Sequence, residues 1–251
     1  MRLTVLGAGP AYTDRQGATG ASYLVSLGRT HVLLDLGQGS LPRLFAAIPP
    51  TDLAAVVISH LHPDHFIDLV ALRHFLRWEF DPPRRVRVLG PTGLAARLDA
   101  LHGEPGFAAA SLDTEVLGTD ERRIGELRVR AGLVHHTDES YGIRVWPAGG
   151  GPGLVYSGDC GRAADLAALL QAGDTLRSEV AYGPGPVQPG VAHLDGPAVG
   201  GLAADAGAGR VLLTHLQMGY DPGETIASVR ERYAGPVEFV WPGSIVEPAT
   251  G

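Results

Sequence analysis

The feature that most constrains the fold is a recurring pattern of short apolar runs, rich in Val, Leu and Ile and separated by turn residues. Runs of this length and composition predict β-strands. The first half of the chain predicts strands at Leu3–Leu6, Tyr23–Leu27, His31–Asp35, Ala54–Ser59 and Val86–Leu89. The second half predicts strands at Leu127–Val134, Tyr141–Trp146, Leu154–Ser157, Val211–Thr214 and Val237–Trp241.

Segments with helical periodicity follow the strands in both halves. They lie at Asp64–Phe75, Thr92–Leu101, Arg162–Gln171, Pro197–Ala206 and Pro222–Tyr233. In each half paired strands come first, and strands and helices alternate after them. This order predicts an α/β sandwich in which sheets carry helices on both outer faces. Since no linker divides the chain, we expect residues 1–251 to form one domain.

Composition and charge limit the partners and the compartment. The net charge of −7 argues against a surface that binds long polyanions through its overall field, so RNA binding is disfavoured. No apolar run approaches the roughly 18 to 20 residues that a membrane span needs. The start, Met1–Gly7, lacks the pattern of a signal peptide, and a single cysteine, Cys160, fits a reducing compartment. We therefore expect a cytoplasmic protein, with Cys160 as a buried structural thiol.

The segment His60-Leu61-His62-Pro63-Asp64-His65 carries the strongest chemical signal, with three His and one Asp within six positions. Imidazole and carboxylate groups are ligands for zinc and similar ions. His60 and His62 lie two apart in a loop and can both face one ion, whereas Asp64 and His65 begin the next helix and can face a second. A polar turn in which Asp64 caps a helix is the alternative. Four ligand-type residues so closely spaced favour the metal site.

That segment resembles the HxHxDH signature of the metallo-β-lactamase superfamily. Further motifs of the superfamily follow in order: Leu133-Val134-His135-His136 is similar to the third-histidine motif, Tyr156-Ser157-Gly158-Asp159 to the bridging-aspartate motif, and Leu213-Thr214-His215 to the final-histidine motif. Leu33 to Gly39 resembles the strand and glycine turn that precede the first ligands. The resemblance covers essentially the whole chain and implies the metallo-β-lactamase fold, a four-layer αββα sandwich.

The resemblance also implies a set of ligands for two divalent ions, with zinc expected first and Mn or Fe as alternatives. One ion is assigned to His60, His62 and His136, the other to Asp64, His65 and His215, with Asp159 bridging. His136 is preferred over His135 because the family places its ligand six residues before the glycine corresponding to Gly142. Two ions about 3.5 to 4 Å apart can lower the pKa of a shared water toward about 7, which yields a bridging hydroxide as nucleophile.

Within the superfamily, the segment His193-Leu194-Asp195-Gly196 resembles the ribonuclease Z group and its small phosphodiesterase relatives, and the chain is also similar to the atypical class II cyclic-AMP phosphodiesterases of actinobacteria. The resemblance implies that His193 donates a proton to the leaving oxygen or binds the phosphate. Asp64 is expected to orient the hydroxide or hold its proton. Glu179 either orients His193 or caps a turn, and Asp35 either steadies the first ligand loop or forms a plain turn.

These features predict a metal-dependent hydrolase, first of all a phosphodiesterase acting on a small, cyclic nucleotide-type phosphodiester. The first alternative is tRNA 3′-end cleavage of the ribonuclease Z type. Only 23 positions separate His136 from Asp159, where long-form ribonuclease Z proteins carry an arm that grips tRNA. Hydrolysis of a lactone, thioester or other carbonyl compound is a second alternative, and a non-catalytic scaffold a third. A homodimer stays open, since many relatives are dimers.

Overall fold

The computed structural model describes residues 1–247, which form fourteen strands and six helices. The strands are β1 (Arg2–Gly7), β2 (Ser22–Leu27), β3 (Thr30–Leu34), β4 (Leu53–Val57), β5 (Val86–Gly90), β6 (Leu112–Val116), β7 (Arg122–Ile124), β8 (Leu127–Leu133), β9 (Tyr141–Pro147), β10 (Leu154–Tyr156), β11 (Thr175–Glu179), β12 (Arg210–Thr214), β13 (Val237–Phe239) and β14 (Ile245–Val246). The helices are α1 (Leu41–Ala47), α2 (Pro63–Phe66), α3 (Leu69–Trp78), α4 (Leu94–His102), α5 (Gly196–Asp205) and α6 (Pro222–Arg230).

The strands form two seven-stranded mixed sheets with the same plan. The first sheet has the order β14-β1-β2-β3-β4-β5-β6, in which β1 to β3 pair antiparallel and β3 to β6 pair parallel. The second has the order β13-β12-β11-β10-β9-β8-β7, in which β7 to β10 pair antiparallel and β10 to β13 pair parallel. Each half of the chain thus builds one sheet, with β14 returning to the first.

Three apolar cores separate the layers. Between the sheets, side chains such as Val25 and Val57 pack with Ile143 and Leu212. On the outer face of the first sheet, residues of β3 to β5 pack against α1, α3 and α4. On the outer face of the second sheet, β11 and β12 pack against α5 and α6. Because the central strands of both sheets are covered on both faces, most of them read as nearly continuous apolar runs. The four-layer αββα sandwich is confirmed.

The ten strand predictions are confirmed within one or two residues at most boundaries, but the helix over Asp64–Phe75 is wrong as one element. The chain forms the short α2 and then α3, because the carbonyl oxygens of Asp64 and His65 accept from Ala21 N–H and Leu36 N–H instead of continuing the helix. The Asp68 carboxylate accepts from the Leu41 backbone N–H at the start of α1 (2.9 Å). The sequence analysis predicted none of the strands β6, β7, β11 and β14, nor the helix α1. β7 and β14 are short, and β6 and β11 consist mainly of polar residues, so neither has the apolar run that predicts a strand.

The helix predicted over Arg162–Gln171 is also wrong, since only a short 3-10 helix forms at Ala163–Leu166. This part of the chain must lie close to the second sheet. A Cβ on Gly142 would lie 2.5 Å from Leu166, and one on Gly132 would lie 3.3 Å from Leu169. The tight turns therefore seat two leucines directly on glycine positions of β8 and β9, which a regular helix of larger radius would not allow.

The residues predicted to form the site come together because the strands before them run in the same direction. β3, β4, β8, β10, β11 and β12 all end at one edge of the sandwich, and the backbone N–H of Tyr141 donates to Ser59 O across the two sheets there (3.0 Å). None of the helices in residues 1–247 is both long enough and apolar enough to cross a membrane.

Candidate metal centre

The side chains predicted as metal ligands meet at this edge. His60 and His62 follow β4, His136 follows β8, Asp159 follows β10 and His215 follows β12. Asp64 and His65 belong to α2, which begins with Pro63. Pro at the first helical position needs no N–H partner and fixes the backbone for a sharp turn into the helix. Loop and helix start thus present the ligand-type side chains of one short segment to a common centre.

The first group joins His60, His62, His136 and Asp159, whose ligand atoms all lie within 4.8 Å of one another. The Nε2 atoms of His60 and His136 lie 3.9 and 3.7 Å from Asp159 Oδ2. The Nε2 of His136 is 3.1 Å from His62 Nδ1. Three imidazoles and one carboxylate oxygen around a common point match the donor set of a zinc site.

The second group joins Asp64, His65, Asp159 and His215 within the same limit of 4.8 Å. The Nε2 of His65 lies 3.5 Å from Asp64 Oδ2 and 3.3 Å from Asp159 Oδ1. The Nε2 of His215 lies 3.9 Å from Asp64 Oδ2 and 3.3 Å from Asp159 Oδ2. Because Asp159 belongs to both groups, its carboxylate is placed between two neighbouring ion positions.

Unsatisfied polar atoms test whether the residues fit metal ions. Among residues 1–247, the buried Nε2 atoms of His60 and His65 and the buried Oδ1 of Asp159 have no hydrogen-bond partner. Buried nitrogen and oxygen atoms without partners are costly and call for an explanation such as an ion. All three atoms face the centre of the two groups, so the residues present fit a pair of divalent cations.

The charges of the ligand-type residues also favour bound cations. Burial alone would lower the pKa of His65, but Asp159 and Asp35 outweigh it and raise the pKa well above the ordinary value. Burial alone would raise the pKa of Asp159, but His215 and His65 hold it well below the usual range. Burial and the neighbouring His65 keep the pKa of His60 well below its ordinary value. The carboxylates thus favour a cation, and His60 keeps a free lone pair.

Asp35, immediately after β3, supports the centre from behind. It is fully buried and accepts hydrogen bonds from the Ser59 backbone N–H (2.6 Å), the Ser59 hydroxyl (2.7 Å) and the Tyr156 hydroxyl. It also lies 2.7 Å from His65 Nδ1, which leaves His65 Nε2 for the centre. A carboxylate that holds the second nitrogen of a ligating imidazole fixes the ring orientation. Of the two roles expected for Asp35, the contacts match the steadying one.

His193 and Glu179 lie beside the ion positions and form a pair. The Nδ1 of His193 is 2.9 Å from Glu179 Oε1. The other contacts of the buried Glu179 carboxylate are the backbone N–H groups of Cys160 (3.0 Å) and Ala181 (2.9 Å). Asp159 completes a cluster with the two residues. Glu179 both orients His193 and receives backbone N–H groups of the turn, so the contacts combine the two expected roles.

Two neighbours of the ligand motifs stay outside the centre. His135 is exposed, and its backbone binds Asp165 Oδ2 and Gly161 N–H, so the structure brings His136 and not His135 to the ion positions. Cys160 is buried, and burial raises the pKa of its thiol to about 12. Such a thiol carries almost no thiolate at neutral pH, which agrees with the structural role expected for it.

A cleft of about 340 Å³ opens onto the centre. Asp64, Asp159, His193 and His215 line its floor, and Tyr12 and Gln217 stand at its rim. The Tyr12 side chain is 72% exposed. Sequence reasoning found the floor but missed both rim residues, since neither belongs to a ligand motif. Tyr12 could have been predicted as a rim residue, because it lies in a loop that also contains Pro10 and several glycines.

Comparison with known proteins agrees with this geometry. The family model described as the β-lactamase superfamily domain matches residues 30–216, which include every ligand-type residue of the centre. The chain belongs to the metallo-β-lactamase superfamily. This is a superfamily of metallo-hydrolases, and hydrolase activity is assigned to the chain at that level.

The relatives cover nearly the whole chain. The uncharacterized protein Rv1339 of Mycobacterium tuberculosis is 30% identical over 246 residues, which cover 96% of this chain and 89% of that protein. The probable metallo-hydrolase YhfI of Bacillus subtilis is 26% identical over 221 residues, covering 86% and 87%.

Solved structures share the fold at lower identity. The crystal structure of YhfI has a TM-score of 0.87 at 21% identity and 98% coverage of both chains. The short form of human tRNase Z has a TM-score of 0.74 at 19% identity, covering 100% of both. A diphosphatase from the PhnP family has a TM-score of 0.74 at 18% identity, covering 98% and 97%.

Proposed function

We propose that the protein is a dinuclear phosphodiesterase that hydrolyses a small, cyclic nucleotide-type phosphodiester. The observation that carries this proposal is the Glu179–His193 pair beside the bridging position of Asp159, because it adds a proton donor to a two-ion centre. Two of the three structural neighbours, a tRNase Z and a diphosphatase, support hydrolysis at a phosphoryl centre. Zinc is the ion proposed first, since the donors are mainly imidazoles.

Each residue of the centre has a proposed task. His60, His62 and His136 would hold one ion and Asp64, His65 and His215 the other, with Asp159 available to both. When bound, two divalent ions act as Lewis acids on the phosphoryl oxygen and acidify water at neutral pH. Asp64 also lines the cleft, where its carboxylate can orient a water molecule and accept its proton.

His193 is placed to complete the reaction. Its Nδ1 faces Glu179, so its Nε2 is the ring nitrogen left for the substrate. Burial alone would lower the pKa of His193, but the hydrogen bond and the charge of Glu179 outweigh it and raise the pKa to about 9. The imidazolium therefore carries a proton at neutral pH. It can bind a phosphate oxygen and donate that proton to the leaving alkoxide.

The shape of the cleft favours a small substrate. Its volume of about 340 Å³ lies near the lower end of the range of about 300 to 1,000 Å³ that is usual for small-ligand sites. Tyr12 at the rim offers an aromatic face for a nucleobase, and such stacking tolerates different bases. Gln217 can bind a base or ribose edge through its amide.

Cleavage of tRNA 3′ ends is the alternative that one observation favours, the similarity to the short form of tRNase Z. The connection between His136 and Asp159 speaks against it. In this part of the chain the structure has only β9, β10 and short turns, including the glycine-rich turn after Pro147. Without an arm there, and with a net charge of −7, RNA lacks the basic surface that usually binds its phosphates.

The test is an assay of purified, metal-analysed protein against 2′,3′- and 3′,5′-cyclic nucleotides, bis(p-nitrophenyl) phosphate, a 3′-extended tRNA precursor and a set of lactones and thioesters. We expect turnover of cyclic nucleotides. Asp64→Ala should lose both turnover and metal, whereas His193→Ala should lose turnover and retain metal. Efficient cleavage of tRNA with no turnover of cyclic nucleotides would establish the alternative. Turnover restricted to lactones or thioesters would refute phosphodiester hydrolysis altogether.

A further inference from the structure

A second cavity lies behind the wall of the metal cleft. Its volume is about 290 Å³, and it shares only Pro10 with the cleft that contains His193. Its walls come from the loop after β1, from α1, from the start of the loop after β12 and from the turn after β13. The metal centre uses none of its side chains. The cavity is therefore a separate site, and the proposed hydrolysis does not use it.

Hydrogen bonds fix these walls in place. The Arg15 guanidinium donates to the carbonyl oxygens of Leu216 (2.7 Å) and Tyr220 (3.2 Å), which joins the loop after β1 to the loop after β12. The backbone N–H of Gly9 donates to Thr19 O (2.8 Å) and closes the first loop. Gly243 N–H donates to Val5 O (2.8 Å) and fixes the turn after β13. The cavity is thus built from ordered backbone.

The charge of the cavity is positive. Arg15 and Arg43 both line it, and no acidic residue does. Both terminal nitrogens of Arg15 already donate to backbone carbonyl oxygens or to the Thr13 hydroxyl, so Arg15 contributes charge more than free N–H groups. The Arg43 guanidinium donates only one long hydrogen bond, to Gly17 O at 3.3 Å, and keeps N–H groups for a ligand. Within residues 1–247, neither arginine forms an ion pair with a carboxylate, although five other arginines do. Arginines left without a carboxylate partner in a cavity favour an anion, and phosphate above all, which the guanidinium can bind through two N–H groups.

The apolar part of the cavity favours a flat ring. Trp241 forms one wall and is 41% exposed. Its indole stacks on Phe239, with ring centroids 5.5 Å apart and planes 18° from parallel, so the ring is held at a fixed angle. Pro10 and Leu216 add apolar surface. A fixed indole beside arginines offers stacking and charge together, which is the combination that binds a base and its phosphate.

We propose that this cavity is a nucleotide site, in which Arg43 binds the phosphate of a nucleoside monophosphate, the charge of Arg15 attracts that phosphate, and Trp241 stacks on the base. The cavity contains none of the side chains of the metal centre, so the proposal is for binding alone and involves no bond breaking. The site contacts Leu216, the residue after His215, and Ala8, whose carbonyl oxygen accepts the His215 backbone N–H (2.8 Å). A nucleotide bound here therefore lies against the backbone that positions one proposed metal ligand.

Tryptophan fluorescence of the metal-loaded, full-length protein tests the proposal, because the chain has three tryptophans. The variant with Trp78→Phe and Trp146→Phe retains Trp241 alone. Titration with adenosine 5′-monophosphate should quench this tryptophan, while adenosine and inorganic phosphate should each bind at least about tenfold more weakly. Arg43→Gln in the same background should weaken binding of the monophosphate by about tenfold or more.

Arg97→Gln is the matched control, since Arg97 lines a different cleft on the far side of His62. It should leave the quenching curve unchanged. Equal binding of adenosine and the monophosphate, or an Arg43→Gln curve that overlays the parent curve, would overturn the proposal. An absence of quenching in the parent variant would do so as well. Binding is measured without turnover, so these outcomes are independent of whether the protein hydrolyses cyclic nucleotides.

Discussion

Replacing Glu179 by Gln tests the proposed proton donor most directly. The Glu179 carboxylate is fully buried and held by two backbone N–H groups, so its charge faces His193 at 2.9 Å with little freedom to move. A hydrogen bond between two charged groups is worth about 1.5 to 3 kcal/mol. At about 1.4 kcal/mol per pKa unit, its loss should lower the pKa of His193 by about one to two units from its value of about 9.

This shift predicts where activity is lost. If His193 must be protonated to donate to the leaving oxygen, the alkaline limb of the pH–rate profile moves to lower pH by the same one to two units, about as far as the pKa falls. Activity on the acid side changes less. The contribution of the Glu179–His193 pair to stability also decreases as the pH rises. The pKa of His193 in the folded state lies above the ordinary 6.5, so the pair stabilises the fold fully below about pH 6.5. The contribution disappears as the pH rises through about 9.

The assay is a pair of pH–rate profiles for the parent protein and Glu179→Gln at matched metal content, with an NMR titration of the His193 ring. Glu139→Gln is the control, because Glu139 lines the neighbouring cleft beside His62 and does not contact His193. An alkaline limb that stays in place while the ring pKa falls would refute proton donation by His193. Equal loss of activity at every pH would instead mean that Glu179 acts only by holding the turn.

Three further predictions concern the fold and the rim of the cleft. Gly37→Ala should destabilise the protein by about 1 to 3 kcal/mol in urea unfolding, because a Cβ there would lie 1.9 Å from a backbone oxygen of α2. The displaced helix should also lower the metal content. Gly149→Ala is the control, since a Cβ at Gly149 would have no neighbour within 4 Å. Asp174→Ala should cost about 3 to 5 kcal/mol by leaving the buried Arg144 unpaired, and adding Arg144→Leu should restore much of it. Tyr12→Ala should raise KM for a cyclic nucleotide about fivefold or more by removing a stacking surface, whereas Tyr12→Phe should not.

The sequence predicts the layers of the fold because buried strands need continuous apolar runs, which are visible without any tertiary information. It fails where a contact with another layer decides the local structure. The segment Arg162–Gln171 has the composition of a helix, yet seating its leucines on Gly142 and Gly132 produces tight turns instead. The edge strand β6 is half polar because solvent covers one side of it, so its pattern is weak.

The ligand-type side chains could be predicted because metal chemistry restricts both residue type and spacing. Their supports could not be predicted in the same way. Tyr156 donates to Asp35 across 121 positions of the chain, and a buried tyrosine in a strand looks like any core residue. The same holds for Ser59, which bonds Asp35 through both its backbone and its side chain. Contacts between the two sheets exist only once both sheets have formed.

Backbone conformation at the centre links these supports to function. Asp35 and His215 are the non-glycine residues with positive φ in residues 1–247, at 59° and 60°. This conformation costs about 1 to 3 kcal/mol per residue and persists only where the surroundings enforce it. At Asp35 a network of hydrogen bonds enforces it, and at His215 the bond from its backbone N–H to Ala8 O does so. Each residue directly follows a strand, and the turned backbone directs the His215 ring toward Asp159 and the Asp35 carboxylate toward His65 Nδ1. A relaxed backbone at His215 would therefore carry its ring away from Asp159, and one at Asp35 would release the ring of His65.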